Sequence, residues 1–367
     1  MKSLNLSDGA TLAIQDARYA RAFSLLAIAG DVSNPERAFP GGVLAVTHRG
    51  ALVAHKAFGR FTFDDESPRV QPDTVFDLAS VTKVAATTAM AMLLCQRRLL
   101  ELETPVCDLL PEFAIGGPAR SAVTVRMLLA HSSGLPAYLK LYEKARSREE
   151  MIHMAATTPL ECAPGVRAAY SDIGFILLGE ILERTAHEPL SDFCQREVFI
   201  PLGMGSTTFH PREAAPTLRE CKFRHRLIQG EVNDENASVI GGVAGHAGLF
   251  ACALDVARFA ECMLRDGAPA FSPEIVAQFT TRESAPAGTS RALGWDTPSA
   301  PSQSGRHFGP RSFGHLGYTG TSLWCDPDHQ LSITLLTNRT WPDASSQAIK
   351  RVRPLVHDAV VEALGLL

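Results

Sequence analysis

Ser80-Val81-Thr82-Lys83 is the stretch that decides the interpretation of this 367-residue sequence. It follows the mainly apolar residues 75–79 and precedes residues 84–99, which are rich in Ala, Met and Leu and contain no Pro or Gly. This pattern predicts a helix that begins near Ser80, whose unpaired first-turn N–H groups point towards the serine oxygen. Lys83 follows one turn later on the same helix face. If Lys83 is buried, we expect desolvation to lower its pKa and to make it a base for Ser80. The alternative is that Ser80 only caps the helix and Lys83 is solvated.

Composition and charge restrict the class of protein. Hydrophobic residues make up 46% and charged residues 20%, as in an ordinary globular chain that can form one or two domains. The net charge of -4, without a cluster of Lys or Arg, argues against nucleic-acid binding. No apolar run approaches the roughly 20 residues that a membrane span requires.

Cysteine and histidine spacing excludes other functions. The eight cysteines include no C-x-x-C pair, which favours reduced thiols over a disulfide framework. The twelve histidines show no metal-ligand spacing, and we therefore expect neither a metal nor another cofactor. Residues 1–9 lack the apolar segment of a signal peptide, so we expect a cytoplasmic protein.

Strand-like segments lie near both ends of the chain and helical patterns lie between them. Two β-rich runs on either side of Arg49-Gly50 predict a hairpin, and two more flank Pro327-Asp328. This arrangement indicates a single sheet formed by distant segments, with a helical insertion. The predicted elements are a helix at 10–29, strands at 42–48 and 51–58, a mainly helical region at 81–265 with helices at 173–183 and 254–264, a loop at 298–311, strands at 322–326 and 331–338, and a helix at 344–365.

Tyr170-Ser171-Asp172 is a second candidate for chemistry, because it lies just before a predicted helix. A tyrosine at such a position can direct its phenol into a cleft. Its ordinary pKa near 10 makes it a poor base unless cations lower that pKa. Beside Lys83, Tyr170 could move the proton of Ser80 and later activate water. The alternative is a half-buried tyrosine that caps the helix.

Residues 314–322 form a third candidate, Gly-His-Leu-Gly-Tyr-Thr-Gly-Thr-Ser, which leads into a β-rich run. Gly317 permits close approach of a ligand to the backbone. The next N–H, on Tyr318, could then pair with the Ser80 N–H to form an oxyanion hole. A Gly-rich turn before an edge strand is the alternative.

The three motifs, in this order and spacing, resemble the class C β-lactamase-related serine hydrolases, which include penicillin-binding peptidases and esterases of the β-lactamase fold. Residues 125–136, the Pro164-Gly165 pair and residues 201–204 also resemble segments of this family, and the resemblance extends from about residue 41 to residue 338. It implies an α+β fold of the β-lactamase/transpeptidase type. An antiparallel sheet flanked by terminal helices would comprise residues 1–80 and 290–367, and a mainly helical domain residues 81–289. The active site would lie in the cleft between these domains.

The resemblance also implies roles for individual residues. Ser80 would be the acylated nucleophile, Lys83 its base partner and Tyr170 the general acid and base. Asp172 would orient Lys83 or the substrate, and the N–H groups of Ser80 and Tyr318 would form the oxyanion hole.

One departure from the family bears on the substrate. His315-Leu316 replaces the Lys-Thr pair of the K-T-G motif, which helps to hold a substrate carboxylate. We therefore expect esters or amides without an adjacent anionic group to be favoured. If His315 is the electrostatic partner of Tyr170, the pH–rate profile should depend on its protonation.

Residues 232–250 resemble one branch of the same family, which is associated with the processing of cell-wall amino sugars. Asp234 and Asn236 would then line the cleft and contact the substrate, or they would belong to a polar loop that caps the following element. His246, among glycines, is interpreted as a packing or capping residue.

The resulting prediction is a serine hydrolase that acts on ester or amide bonds of a small or peptide-like substrate through an acyl-enzyme. The first alternative is a D-alanyl-D-alanine peptidase or a muropeptide amidase. The second is a penicillin-binding protein without catalytic activity. The sequence gives no prediction of oligomeric state.

Overall fold

A five-stranded antiparallel sheet is the centre of the fold in the computed structural model, which describes residues 16–367. Its strand order, β2-β1-β7-β6-β5, joins the two ends of the chain because β1 pairs with β7. A separate pair, β3-β4, lies next to the candidate site. The strands are β1 (Gly41–His48), β2 (Ala51–Gly59), β3 (Phe76–Asp77), β4 (Phe250–Ala251), β5 (Phe313–Leu316), β6 (Ser322–Asp326) and β7 (Leu331–Thr337).

Helices cover both faces of the sheet. Among the α-helices, α1 packs against α11 and β2, whereas α9 packs against β1, β6 and β7 from the other side. The α-helices are α1 (Ala20–Gly30), α2 (Ala89–Gln96), α3 (Val106–Leu109), α4 (Val125–Leu129), α5 (Arg148–Thr157), α6 (Asp172–Ala186), α7 (Leu190–Cys194), α8 (Glu235–Val239), α9 (Ala253–Leu264), α10 (Pro273–Thr280) and α11 (Ile349–Ala363). The shorter 3-10 helices are Ala17–Tyr19, Ala79–Val81, Pro111–Gly116, Pro118–Ala122 and Leu141–Glu143, and the π-helices are Lys83–Thr88 and Gln195–Phe199.

Residues 16–367 form two large hydrophobic cores, and strand β1 contributes to both. Val43 and Ala45 belong to the larger core, which continues into the helical part of the chain. Leu44 and Val46 belong to the smaller core beneath α1 and α11. Because successive side chains of a strand point to opposite faces, an unbroken apolar run is what a sheet buried on both sides requires.

The predicted hairpin is confirmed, and its turn has a physical cause. Arg49 has a φ of 52° and Gly50 a φ of 79°, and positive values at both central residues are those of the two-residue turn that matches the twist of the flanking strands. The remaining β-rich segments also form the predicted strands, and residues 298–311 form neither a helix nor a strand.

Other boundaries differ from the predictions. The helix predicted at 84–99 begins as a π-helix and ends at Gln96, and the last helix begins at Ile349 rather than near residue 344. The region 81–265 is not helical throughout, since residues 201–234 are irregular. Of the predicted N-terminal helix, residues 10–15 lie outside the described part of the chain. The division into two domains stays a prediction.

Candidate active site

The short β3-β4 pair brings Ser80 to the edge of the large sheet. Asp77, at the end of β3, accepts a hydrogen bond from the Ala79 N–H at 2.8 Å, and the Leu78 N–H donates to the Leu249 carbonyl at 2.9 Å. Ala79 has a φ of 46°, a conformation that a residue with a Cβ rarely adopts. This sharp turn ends the strand and begins the 3-10 helix that carries Ser80.

Lys83 is completely buried and its ammonium group has three acceptors. Its Nζ lies 3.0 Å from Ser80 Oγ, 2.7 Å from Asp172 Oδ1 and 2.9 Å from the carbonyl oxygen of His246. An ammonium group has three protons to donate, so all of them are used. The sequence-predicted neighbours Ser80, Lys83 and Asp172 are therefore brought into direct contact.

The electrostatics of Lys83 differ from the prediction. Burial alone would lower the pKa of Lys83, but the adjacent Asp172 carboxylate and Tyr170 phenol raise it above its ordinary value. The expectation of a net lowering of the Lys83 pKa was wrong, because the Asp172 carboxylate and the Tyr170 phenol together outweigh desolvation. In the resting site Lys83 is a protonated ion-pair partner.

The loop that follows α4 fixes the position of Tyr170. Ser171 donates its backbone N–H to His131 Nδ1 at 3.0 Å and its hydroxyl to the Pro136 carbonyl at 2.7 Å. The Ser171 hydroxyl also accepts from the Gly174 N–H, which caps α6. Residues 131–137 thus hold the start of α6, and Asp172 is its first residue.

Tyr170 lies among charged and aromatic groups. The Lys83 Nζ is 4.9 Å from the centre of its ring, and the ring of His131 is 4.6 Å away, centre to centre. Burial raises the pKa of Tyr170, although Lys83 and a hydrogen bond with Ser80 act to lower it. Tyr170 is therefore a protonated phenol in the resting site, in contact with both partners predicted for it.

The end of β5 approaches the serine turn very closely. A Cβ at Gly317 would lie 2.5 Å from the Leu78 carbonyl oxygen and 1.9 Å from Thr321 Oγ1, and Thr321 itself donates to that carbonyl. The close approach predicted for Gly317 is thus to the backbone that carries Ser80. In residues 16–367 the Tyr318 N–H has no hydrogen-bond acceptor, as a donor in an oxyanion hole requires.

His315 is buried and neutral. Its Nδ1–H donates to the Leu316 carbonyl at 2.8 Å, and its ring centre lies 6.0 Å from that of Tyr170. Burial, with the charges of Lys83 and Arg291, lowers the pKa of His315 to about 3. His315 therefore supplies no positive charge at neutral pH, which argues against the expected dependence of activity on its protonation.

Asp234 and Asn236 have different positions. Asp234 accepts from the Ala237 N–H at 2.7 Å, which caps α8, and lies 2.8 Å from His246 Nε2. Asn236 is fully buried and binds the Tyr142 N–H and the Leu139 carbonyl. These contacts of Asn236 favour the alternative of a loop-holding role. Contact of Asp234 or Asn236 with substrate stays a prediction.

Sequence reasoning did not identify two further residues at the site. Arg291 lies with its Cζ 5.5 Å from the ring centre of Tyr170, and its charge acts on both buried histidines, His131 and His315. Its side chain is 22% exposed and forms a loose ion pair with Asp296 at 3.5 Å. His131 belonged to a segment singled out by its resemblance, but nothing in the sequence indicated Arg291.

Residues 16–367 bring together no group of three or more His, Cys, Asp or Glu side chains that could hold a metal ion. In the same part of the chain no helix has the length and apolar character needed to cross a membrane.

Comparison with known proteins agrees with this geometry. A family model described as Beta-lactamase matches residues 18–357. The chain belongs to the Beta-lactamase family. Its fold is accordingly the β-lactamase/transpeptidase-like α+β fold, and the protein is a serine hydrolase.

The names of similar proteins refer to several activities. The chain is 33% identical over 345 residues to an N-acetylmuramyl-L-alanine amidase of Bacillus subtilis, covering 82% of this chain and 77% of the relative. It is 30% identical to a putative D-alanyl-D-alanine carboxypeptidase of Escherichia coli, covering 80% and 76%. The solved structure of EstCE1, a hydrolase with promiscuous acyltransferase activity, has a TM-score of 0.72 at 21% identity, covering 92% of this chain and 99% of that one. At this identity the last similarity concerns the fold alone.

Proposed function

We propose that the protein hydrolyses an amide bond through a covalent acyl-enzyme on Ser80. The observation that carries this proposal is the buried Lys83 ammonium, hydrogen-bonded at once to Ser80 Oγ and Asp172. A serine hydroxyl is a weak nucleophile until a group beside it takes its proton. Helix capping requires no buried cation next to the serine, so the arrangement favours catalysis.

The protonation states of Lys83 and Tyr170 determine whether the site can react. Lys83 and Tyr170 both hold their protons in the resting site, so the pair must lose one proton before it can accept another from Ser80. This loss is a shared titration of two coupled groups. We expect the rate to rise towards alkaline pH, with an acid limb set by the Lys83–Tyr170 pair.

In the acylation step the Ser80 oxygen forms a bond to the substrate carbonyl carbon. The Ser80 proton passes to the Lys83–Tyr170 pair, and the carbonyl oxygen takes up negative charge opposite the Tyr318 N–H. Tyr170 then donates a proton to the leaving nitrogen as the carbon–nitrogen bond breaks. Attack by water, with its proton taken by the same pair, releases the acid and restores Ser80.

The proposed substrate is an N-acylated amino acid of the N-acetylmuramyl-L-alanine kind. The amidase relative supports this choice by its name. Such an amide joins the carboxyl of a muramic acid to alanine, whose own carboxylate stays free next to the leaving nitrogen. Arg291, beside Tyr170, provides a cation for that carboxylate, which His315 does not. This replaces the expectation of substrates without an adjacent anion.

D-Alanyl-D-alanine peptides are the second candidate, supported by the carboxypeptidase relative. They too release an amino acid with a free carboxylate, so Arg291 favours neither candidate over the other. We also propose that the protein acts in the reducing cytoplasm, on small wall fragments. Its eight cysteines, all free thiols in the described residues, support this location.

A direct comparison of substrates tests the proposal. Purified protein is incubated with N-acetylmuramyl-L-alanine, an acyl-D-alanyl-D-alanine peptide and a nitrophenyl acetate, and released amino acid or nitrophenol is measured. We expect the highest kcat/KM for the muramyl amide, complete loss in Ser80→Ala and no loss in the matched surface variant Ser121→Ala. Preference for the D-alanine peptide would select the second candidate. Absence of Ser80-dependent turnover with all three would refute the proposal.

A further inference from the structure

A segment outside the three predicted motifs holds Lys83 from another side. Gly245 accepts a hydrogen bond from Thr87 Oγ1 at 2.6 Å, and the next carbonyl, that of His246, accepts from Lys83 Nζ at 2.9 Å. Gly245 lies so close to α6 that a Cβ there would be 2.1 Å from the Phe175 carbonyl oxygen. The backbone at 245–246 is therefore fixed between α6 and the π-helix that carries Lys83.

The His246 side chain is fixed by a carboxylate. Its ring is 1% exposed, and its Nε2 lies 2.8 Å from Asp234 Oδ1. Burial acts to raise the pKa of Asp234, but His246, the Ala237 N–H and Lys83 lower it overall, so Asp234 is ionised at neutral pH. A helix cap alone needs only an acceptor oxygen, and an uncharged residue would supply it.

We infer that Asp234 and His246 are positioning residues for Lys83. Asp234 fixes the ring of His246, which keeps the His246 carbonyl on the Lys83 ammonium, and the negative charge of Asp234 favours the protonated amine. This inference rests on the proposed role of Lys83 in activating Ser80. Asp234, in the segment before α8, is then a second anion, besides Asp172, that acts on the pKa of Lys83.

The charges around Lys83 and Asp234 determine in which direction the Asp234 carboxylate shifts the pKa of Lys83. Lys83 interacts with Asp172, Tyr170 and Asp234, and its charge also acts on two neutral histidines. Asp234 in turn faces its partner His246 and a set of acidic or neutral groups. That set is Asp77, Tyr138, Tyr142 and Glu235. Removal of the Asp234 charge leaves Lys83 with one anion fewer, which lowers its affinity for a proton.

The test measures the pH dependence of Ser80 phosphonylation by a fluorophosphonate, which requires an activated Ser80 but no knowledge of the substrate. Asp234→Asn retains an oxygen for both the cap and His246 and removes only the charge, whereas Asp234→Ser retains the cap alone. We expect the acid limb to shift downward by about half a pH unit or more in both variants. Ser272→Ala, which removes the cap of α10, is the matched control and should show no shift.

The outcomes separate the inference from the proposed function. A wild-type protein that is not phosphonylated at Ser80 would overturn the proposed function and this inference with it. Normal wild-type labelling with an unchanged or upward-shifted limb in both Asp234 variants would overturn the inference alone.

Discussion

At the residue scale, Lys83 connects the parts of the site, since its three hydrogen bonds reach the serine turn, α6 and the segment before β4. A buried cation with fewer acceptors would carry a large desolvation cost. The Asp172 carboxylate offsets that cost and keeps the amine protonated. The site is thus stable in a form that must lose a proton before it can react.

His315 gives the first prediction at this scale. Because its pKa is about 3, it stays neutral throughout the range from pH 5 to pH 9. His315→Gln should therefore leave the position of the acid limb of the pH–rate profile unchanged, whatever its effect on kcat. Steady-state rates across that range provide the measurement. A limb that disappears in the variant would show that His315 titrates in the working enzyme.

Arg291 gives the second prediction at the residue scale. Arg291→Met removes the cation near Tyr170 and retains an unbranched side chain to cover the ring. We expect KM for a substrate with a free α-carboxylate to rise about 10- to 100-fold, because a charge-assisted hydrogen bond contributes about 1.5–3 kcal/mol. The same substrate with its carboxylate converted to an amide should be bound equally by both enzymes. Equal losses for the two substrates would assign Arg291 a structural role instead.

At the element scale, the contact between the end of β5 and the serine turn determines whether the oxyanion hole can form. Gly317→Ala places a methyl group against the Leu78 carbonyl oxygen. We expect a loss of about 1–3 kcal/mol in the free energy of unfolding, as for other overpacked sites, together with a fall in kcat of at least about 10-fold. Denaturant unfolding and steady-state kinetics measure the two effects. Gly309→Ala is the control, since its Cβ would meet only Asp328 Oδ2, at 3.6 Å. Equal losses of unfolding free energy and of kcat in the two variants would show that the contact at Gly317 has no special role.

Elements determined by local patterns could be predicted from the sequence. The hairpin around Arg49-Gly50 needs only two β-rich runs and a turn that tolerates positive φ. The irregular residues 201–234 could not be predicted, because their conformation depends on the parts of the chain that they cover. The π-helix after Ser80 was also missed; Thr87, which belongs to it, donates a hydrogen bond to Gly245, a residue distant in sequence.

The candidate site, too, could be predicted from the sequence only in part. Ser80 and Lys83 are neighbours on one helix, so their spacing alone indicates contact. Arg291 comes from a segment without a motif and reaches Tyr170 only after the chain has folded. The pKa of Lys83 was predicted in the wrong direction because its sign depends on Asp172, 89 positions away.

At the scale of the whole molecule, the site lies where the large sheet meets the helical part of the chain. Asp77 belongs to this junction, since its carboxylate accepts the N–H groups of Ala79 and Asn233. Burial is the main cause that raises the pKa of Asp77, from its ordinary 3.8 to about 6. The folded state thus holds this proton more tightly than the unfolded state does. The stabilising contribution is complete below about pH 4 and is lost as the pH rises through about 6.

The corresponding prediction concerns Asp77→Asn. The difference in unfolding free energy between variant and wild type should change by about 2.4 kcal/mol from pH 4 to pH 7, in favour of the variant at the higher pH. Denaturant unfolding at the two pH values measures it, and the other titrating groups cancel because both proteins share them. A difference independent of pH would mean that Asp77 titrates alike in the folded and unfolded states.

Covalent acylation of Ser80 can be detected by mass spectrometry of the protein after exposure to a slowly hydrolysed β-lactam. We expect a mass increase of one intact acyl group, located by peptide mapping on Ser80. The increase should be absent in Ser80→Ala and unchanged in Ser121→Ala. An adduct on another residue, or hydrolysis that continues in Ser80→Ala, would contradict it.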